Sequence, residues 1–289
     1  MITTPTFPEL DDLLEAVRQV GLTKRLADLE ALSPYMEAAL RNRALPAAAI
    51  NAELHAMLTD ARYAPSARDS SVQINARDEG RVMRVILTHL DAANTGLPPL
   101  AISDPAHSLI GSFNEPLLLS EFDQKAVDAS ILIPNAGLHE LPRRSLDRGS
   151  ACLMPAGLGI RLISSGQPTW TLSIFQEPCL PFIWQYDMTT KCPVRSISAE
   201  TATTRIELSL RLLAELGDAP DEAVLASLFG HSAHHVRWQA AATLVRLDET
   251  RGLAAIEALT TDVHPQVRAA AGRTLENFRS ACALGAGDV

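Results

Sequence analysis

The chain has 289 residues, 47% of them hydrophobic and 20% charged, with a net charge of −9 and a pI near 5.4. That length and apolar content suffice for one large domain or two ordinary ones. The acidic balance argues against general phosphate binding, which rests on Lys and Arg, so no nucleic-acid partner is expected. No run of about 18 apolar residues is present, so no membrane partner is expected. The N-terminus MITTPTFPELDD lacks the basic-then-apolar order of a secretory signal. Cys152, Cys179, Cys192 and Cys282 are scattered and form no CxxC pair, which points to a reduced, cytoplasmic protein.

Residues 1–62 read as an N-terminal helical segment. Pro8 suits a first turn, Leu10, Leu13, Leu14 and Val17 recur at helical spacing, and Gly21 is a stop. A second helix is predicted over Lys24–Leu32. A third is capped by Ser33 with Pro34 behind it, and a fourth opens at Pro46. Tyr63–Gly80 is polar and turn-rich, and a strand is predicted from Arg81 to Leu90. The stretch AANTGLPPLAISDPAH reads as a loop.

Short strands follow around Glu115–Phe122, Ser130–Ile133, Ala151–Met154, Ile160–Ile163 and Trp170–Phe175. Their number and spacing suggest an all-β barrel or sandwich over residues 63–198.

Residues 199–289 return to a helical pattern and carry an internal repeat. HHVRWQAAATLVRL from His234 aligns with PQVRAAAGRTLENF from Pro265 at an offset of 31 residues. Val236 matches Val267, Arg237 matches Arg268, Ala240 matches Ala271 and Leu244 matches Leu275. The unit is helix, polar turn, helix, and such a unit must stack on a neighbour to bury its apolar face. The pattern resembles HEAT repeats, with a Val-Arg pair opening the second helix. That resemblance implies a surface for a protein partner.

Gly149, Pro155 and Gly157 stand at the spacing GxxxxxPxG. This spacing resembles the second motif of the cupin family, in which a His follows three residues after the second Gly. That position is Ile160 here, and the motif's Asn position is Ser164. Aligned to the first cupin motif, His107 takes the first ligand position, Leu109 the second, and Asn114 the Glu position. The segment TWTLSIFQEPCLPFIWQYD and the helical N-terminus resemble the thiol-dioxygenase branch of cupins. The resemblance covers roughly residues 30–190.

The resemblance implies an α+β chain: N-terminal helices, a cupin-like antiparallel β-barrel and C-terminal HEAT-like α-hairpins. It also implies a pocket lined by His107, Leu109, Ile160, Trp170 and Tyr186. Enzymes of that branch hold Fe(II) with three imidazoles; with Leu109 and Ile160 at ligand positions no cofactor is expected. The leading reading is a non-catalytic or accessory protein that binds a small ligand, a protein partner or both, with homodimer formation left open. The alternative is an Fe2+-dependent, dioxygenase-like enzyme with a non-standard site, for which His107, His139 and Glu140 are candidate ligands and Tyr186 and His107 candidate catalytic groups. His231, His234, His235 and His264 occupy the polar turns of adjacent repeats, where they are candidates for partner binding or a pH-sensitive patch. Arg143, Arg144 and Arg148 form a small basic group, read as a solvated turn or as a site for an acidic ligand or partner. Walker, GxGxxG, GxSxG, HExxH and EF-hand motifs are absent.

Overall fold

The computed structural model describes residues 8–60, 62, 67–68, 70–74, 83–92, 98–124, 130–131, 136–217 and 222–285. The chain divides into two compact units, Met1–Ala199 and Glu200–Val289.

The first unit opens with four helices: α1 (Pro8–Val20), α2 (Leu26–Glu30), α3 (Ser33–Arg41) and α4 (Leu45–Thr59). Gly21 ends α1 as expected, with φ +68° and its N–H on the Val17 carbonyl. Ser33 does not cap α3. The cap position is Leu32 and makes no side-chain bond, so proline at the start of the helix is the operative signal.

The strands are β1 (Ala67–Arg68), β2 (Ser71–Gln73), β3 (Arg84–Leu90), β4 (Leu100–Ile102), β5 (Ser108–Ser112), β6 (Leu117–Asp123), β7 (His139–Glu140), β8 (Arg144–Leu146), β9 (Ala151–Met154), β10 (Ile160–Ser165), β11 (Thr169–Phe175), β12 (Phe182–Asp187) and β13 (Cys192–Ser198). The expected loop before His107 contains β4, and a further strand, β13, runs over Cys192–Ser198, where no strand is predicted. The predicted strand at Ser130–Ile133 and much of Tyr63–Gly80 lie outside the described residues.

Among the described residues the strands form three antiparallel ladders rather than one closed barrel. They run β1-β2-β3-β11-β5-β9, then β10-β6-β7 with β8 also on β6, and β13-β12-β4. A bridge from Ser103 to Ile160 links the last two.

Pleat alternation sends neighbouring side chains to different cores. Leu87, Leu109, Leu172 and Ile174 pack with Leu13, Leu29, Met36 and Leu40 of the helices. Ile110, one residue from Leu109, packs with Leu117, Leu119 and Met154. Phe122, on the opposite face of β6 from Leu119, joins Ile160, Trp184 and Tyr186. Strand β5 is buried along its whole length, so it carries no polar alternation by which to recognise it.

The second unit contains α5 (Thr201–Leu216), α6 (Glu222–Ser227), α7 (His234–Leu247), α8 (Glu249–Ala258), a 3₁₀ turn at Leu259–Thr261 and α9 (Pro265–Gly285). The aligned positions Leu225 and Ile256, Val236 and Val267, and Ala240 and Ala271 are all buried. The small residues let the helices approach closely. The repeat also holds in its polar bonds. Arg237 Nη1 donates to the carbonyls of His231 and Ser232, and Arg268 Nη1 to those of Asp262 and Val263, which are 31 residues on.

Candidate functional site

His107 directly precedes β5. Its Nδ1 accepts the Ala156 N–H at 2.7 Å, which leaves the proton of the neutral ring on Nε2. Nε2 lies 3.7 Å from Cys179 Sγ. Burial lowers the His107 pKa and favours that neutral form. Leu109 is wholly buried in the helix-side core, with Trp170 packed against the same cluster and its ring tilted at 60° to that of His89, centroids 5.1 Å apart. Ile160 and Tyr186 belong to a different core. The five side chains expected to line one pocket are therefore distributed between two cores and an edge. The Tyr186 hydroxyl lies within 2.5 Å of Gln124 Oε1 and 2.7 Å of the Leu158 carbonyl. Burial, and then the charge of Asp123, raise its pKa.

Fe(II) of the three-imidazole kind does not fit these residues. Of the three aligned positions one is an imidazole with both nitrogens engaged, and two are buried aliphatics. His139 and Glu140 lie exposed on β7 opposite Asp123 and Phe122, with Glu140 beside Arg143 and Lys191. Among the described residues no group of three or more His, Cys, Asp or Glu converges as a metal site would require.

The structure assembles a different constellation. Register places Arg161 on β10 opposite Glu121 on β6, and Arg144 on β8 diagonally from Glu121. Arg161 Nε donates to Glu121 Oε1 at 2.8 Å, Nη1 to Asp104 Oδ2 at 3.1 Å, and Nη2 to the Pro155 carbonyl at 3.2 Å. Arg144 grips the same Glu121 through Nε at 2.9 Å and Nη2 at 3.1 Å. Burial pushes the Glu121 carboxyl up, but the bonds and charges of Arg144 and Arg161 outweigh it and hold it below the usual range. Burial raises the Asp104 carboxyl, opposed only in part by Arg161.

Asp104, Glu121 and Arg161 border a cleft of about 200 Å³, lined also by Pro155, Ala156, Gly157 and Gly159. A Cβ on Gly159 would stand 2.0 Å from the Phe122 carbonyl oxygen, so only glycine permits this approach of the loop to β6. Of the motif glycines, Gly149 is needed for its φ of +73°, whereas a Cβ on Gly157 would meet nothing closer than 3.8 Å.

Sequence reasoning missed Asp104, Glu121 and Arg161, and saw Arg144 only as part of a basic group. The available signal was a charge in the interior of each of two apolar strands, Glu121 in LLLSEFD and Arg161 in IRLISS. A lone charge in such a strand needs a partner across the ladder.

In the second unit the expected histidines do meet. The rings of His234 and His264 stack at 3.6 Å with an interplanar angle of 1°, and His235 stands edge-on to His234 at 5.3 Å. His231 Nδ1 accepts the Ala233 N–H. Burial, then the neighbouring His264, His235 and Arg237, lower the His234 pKa to about 4 against the pull of Asp262.

No family model matches this chain, and no curated protein does. Among solved structures, it is similar to hydroquinone 1,2-dioxygenase PnpCD at 15% identity and TM-score 0.27, over 41% of this chain and 69% of that one. Hydroquinone 1,2-dioxygenase from Sphingomonas sp. TTNP3 is similar at 16% identity and TM-score 0.27, over 42% and 71%. Salicylate 1,2-dioxygenase from Pseudoaminobacter salicylatoxidans is similar at 10% identity and TM-score 0.28, over 46% and 31%. Likenesses this slight assign neither a family nor an activity. No described helix is long and apolar enough to cross a membrane.

Proposed function

We propose that the chain is a non-catalytic or accessory cupin-like protein, binding a small ligand in its first unit and a protein partner through HEAT-like hairpins in its second. One observation supports the non-catalytic reading above the rest. Leu109 and Ile160, at two of the three aligned metal-ligand positions, are buried in separate apolar cores. A ferrous ion has no set of donors there, and a single imidazole does not hold it against cellular competitors. The charged cleft beside Arg161 is the ligand site in this reading. Stacked helical pairs suit a protein partner because they present a continuous surface built from repeated turns.

The test is metal analysis after Fe(II) is supplied anaerobically to the purified protein. The expected result is no stoichiometric iron, with His107→Ala behaving like the unaltered chain. One iron per chain, lost in His107→Ala, would overturn the reading in favour of an oxygenase with a non-standard site.

A further inference from the structure

We infer that the outer face of α5 is a self-association surface, on which a second copy of this chain lays its own α5, antiparallel, about a two-fold axis. This deepens the partner-binding reading of the second unit and rests on it.

The repeat shows where a covering helix is missing. In α7, Val236, Ala240 and Leu244 pack with Leu210 of α5 and Leu225 of α6. Thr243 Oγ1 donates to the Leu210 carbonyl at 3.2 Å. By these positions α7 sits on the helices before it. On α5, 31 residues earlier, the same positions are Arg205, Ser209, Leu213 and Leu212, and Arg205, Ser209 and Leu212 are exposed. Leu208, Leu212 and Leu216 follow one another at a helical spacing of four and stand 58%, 54% and 82% exposed. They lie across the helix from Thr203 and Leu210, its buried residues. The other end of the stack is finished differently. Trp238, Ala241 and Val245 of α7 pack with Val267 and Ala271 of α9, and the positions aligned with these three on α9 are Ala269, Gly272 and Glu276, small or charged. Stacked repeats need a polar outer face at each end, and a leucine stripe there marks a surface to be covered.

Charge selects the occupant. Leu208 and Leu212 lie two residues to either side of Leu210, and Arg205 and Glu215 lie five residues to either side of it. With the two-fold axis level with Leu210, an antiparallel pair of α5 helices therefore sets Leu208 of each copy against Leu212 of the other, and Arg205 against Glu215. Arg205 and Glu215 are both exposed. They stand about 15 Å apart along the helix, too far to pair within one chain. Glu215 bonds Arg246 of its own unit, but that pair is open to solvent and contributes little, so the carboxylate is available to a second arginine. A parallel pairing would put Arg205 on Arg205. One helical seam is smaller than the interface of a tight complex, so the dimer is expected to be weak and concentration-dependent.

The experiment is sedimentation velocity on the full-length protein at low salt, from micromolar to near-millimolar concentration. The unaltered chain should pass from monomer to dimer. Leu212→Asp should stay monomeric and keep its melting temperature, because the side chain it replaces is exposed. Arg205→Glu and Glu215→Arg, each alone, should weaken dimerisation by about tenfold or more, since each turns two attractive pairs into two repulsive ones. An equal mixture of those two variants should dimerise again, because both pairs are attractive in the mixed dimer. That rescue requires antiparallel self-pairing, and it stands as a test even if Leu212→Asp fails to fold. A chain monomeric at every concentration would overturn the proposal and leave the face to a different protein. So would a dimer that survives Leu212→Asp, or a mixture no more associated than its components. Such a failure leaves the two hairpins open to a foreign partner, and iron content is decided separately.

Discussion

Arg237 reaches from one helical repeat to clasp Asp262 in the turn of the next, Nε on Oδ2 at 2.7 Å and Nη2 on Oδ1 at 2.6 Å. Both side chains are nearly enclosed, at 9% and 5% exposure. The remaining Arg237 nitrogen bonds the carbonyls of its own turn. A single guanidinium therefore closes one turn and joins it to the next.

Asp262→Ala would leave Arg237 enclosed without a counter-charge. The expected cost to the second unit is about 3 kcal/mol or more, because an uncompensated buried charge is worse than no pair. The aligned Arg268 is exposed and bonds its own turn; Arg268→Ala should cost about 1 kcal/mol or less. Urea unfolding of the two variants checks the ranking, and equal losses would show that the inter-repeat clasp contributes nothing.

The histidine stack makes the second unit acid-sensitive. The His234 pKa is about 4 in the fold against an ordinary 6.5, so the unfolded chain takes up its proton first. Stability from this group is complete above pH about 6.5 and falls as the pH drops toward 4, by on the order of 1–2 kcal/mol once solvent screening is allowed for. Asp262 acts lower: hydrogen bonds from Arg237 depress its carboxyl, so its contribution holds above its ordinary value of 3.8 and is lost as the pH falls through the depressed one. His234→Phe should flatten the upper part of the profile. Thermal melts from pH 7 to pH 4 with an unchanged slope in the variant would sink the assignment.

Two glycines of one loop should behave oppositely. Gly159→Ala drives a Cβ into the Phe122 carbonyl and should cost about 2–3 kcal/mol as β6 and the loop separate. Gly157→Ala meets only an ordinary contact at 3.8 Å, without a left-handed backbone, and should change stability by no more than about 0.5 kcal/mol. Melting temperatures of the pair decide it; equal effects would mean that the close approach at Gly159 is absent in solution.

Tyr186→Phe removes a buried hydroxyl from between Gln124 and the Leu158 carbonyl. Stability should fall by about 1–2 kcal/mol, because the hydroxyl's single proton is withdrawn from the two buried acceptors that share it. Denaturant midpoints report this. An unchanged midpoint would show that the hydroxyl has no structural role and would revive the case for Tyr186 as a reactive group.

By itself the sequence determined the local elements whose signals are covalent or periodic. Pro8, Gly21 and Pro34 punctuate the N-terminal helices, the apolar run at Thr169–Phe175 is a strand, and the 31-residue repeat carries its Val-Arg pair into matching hydrogen bonds. It also placed His231, His234, His235 and His264 in adjoining turns, since repeats of equal length bring equivalent turns side by side. Tertiary structure alone decided which face each strand presents and what lies across from it. Leu109 and Ile160 looked like two walls of one pocket, yet pleat and packing send them to different cores. Glu121 and Arg161 stand 40 residues apart in sequence and meet because β6 and β10 pair in one register. A one-residue slip of either strand would leave the two side chains on opposite faces, and nothing in either strand taken alone specifies the partner.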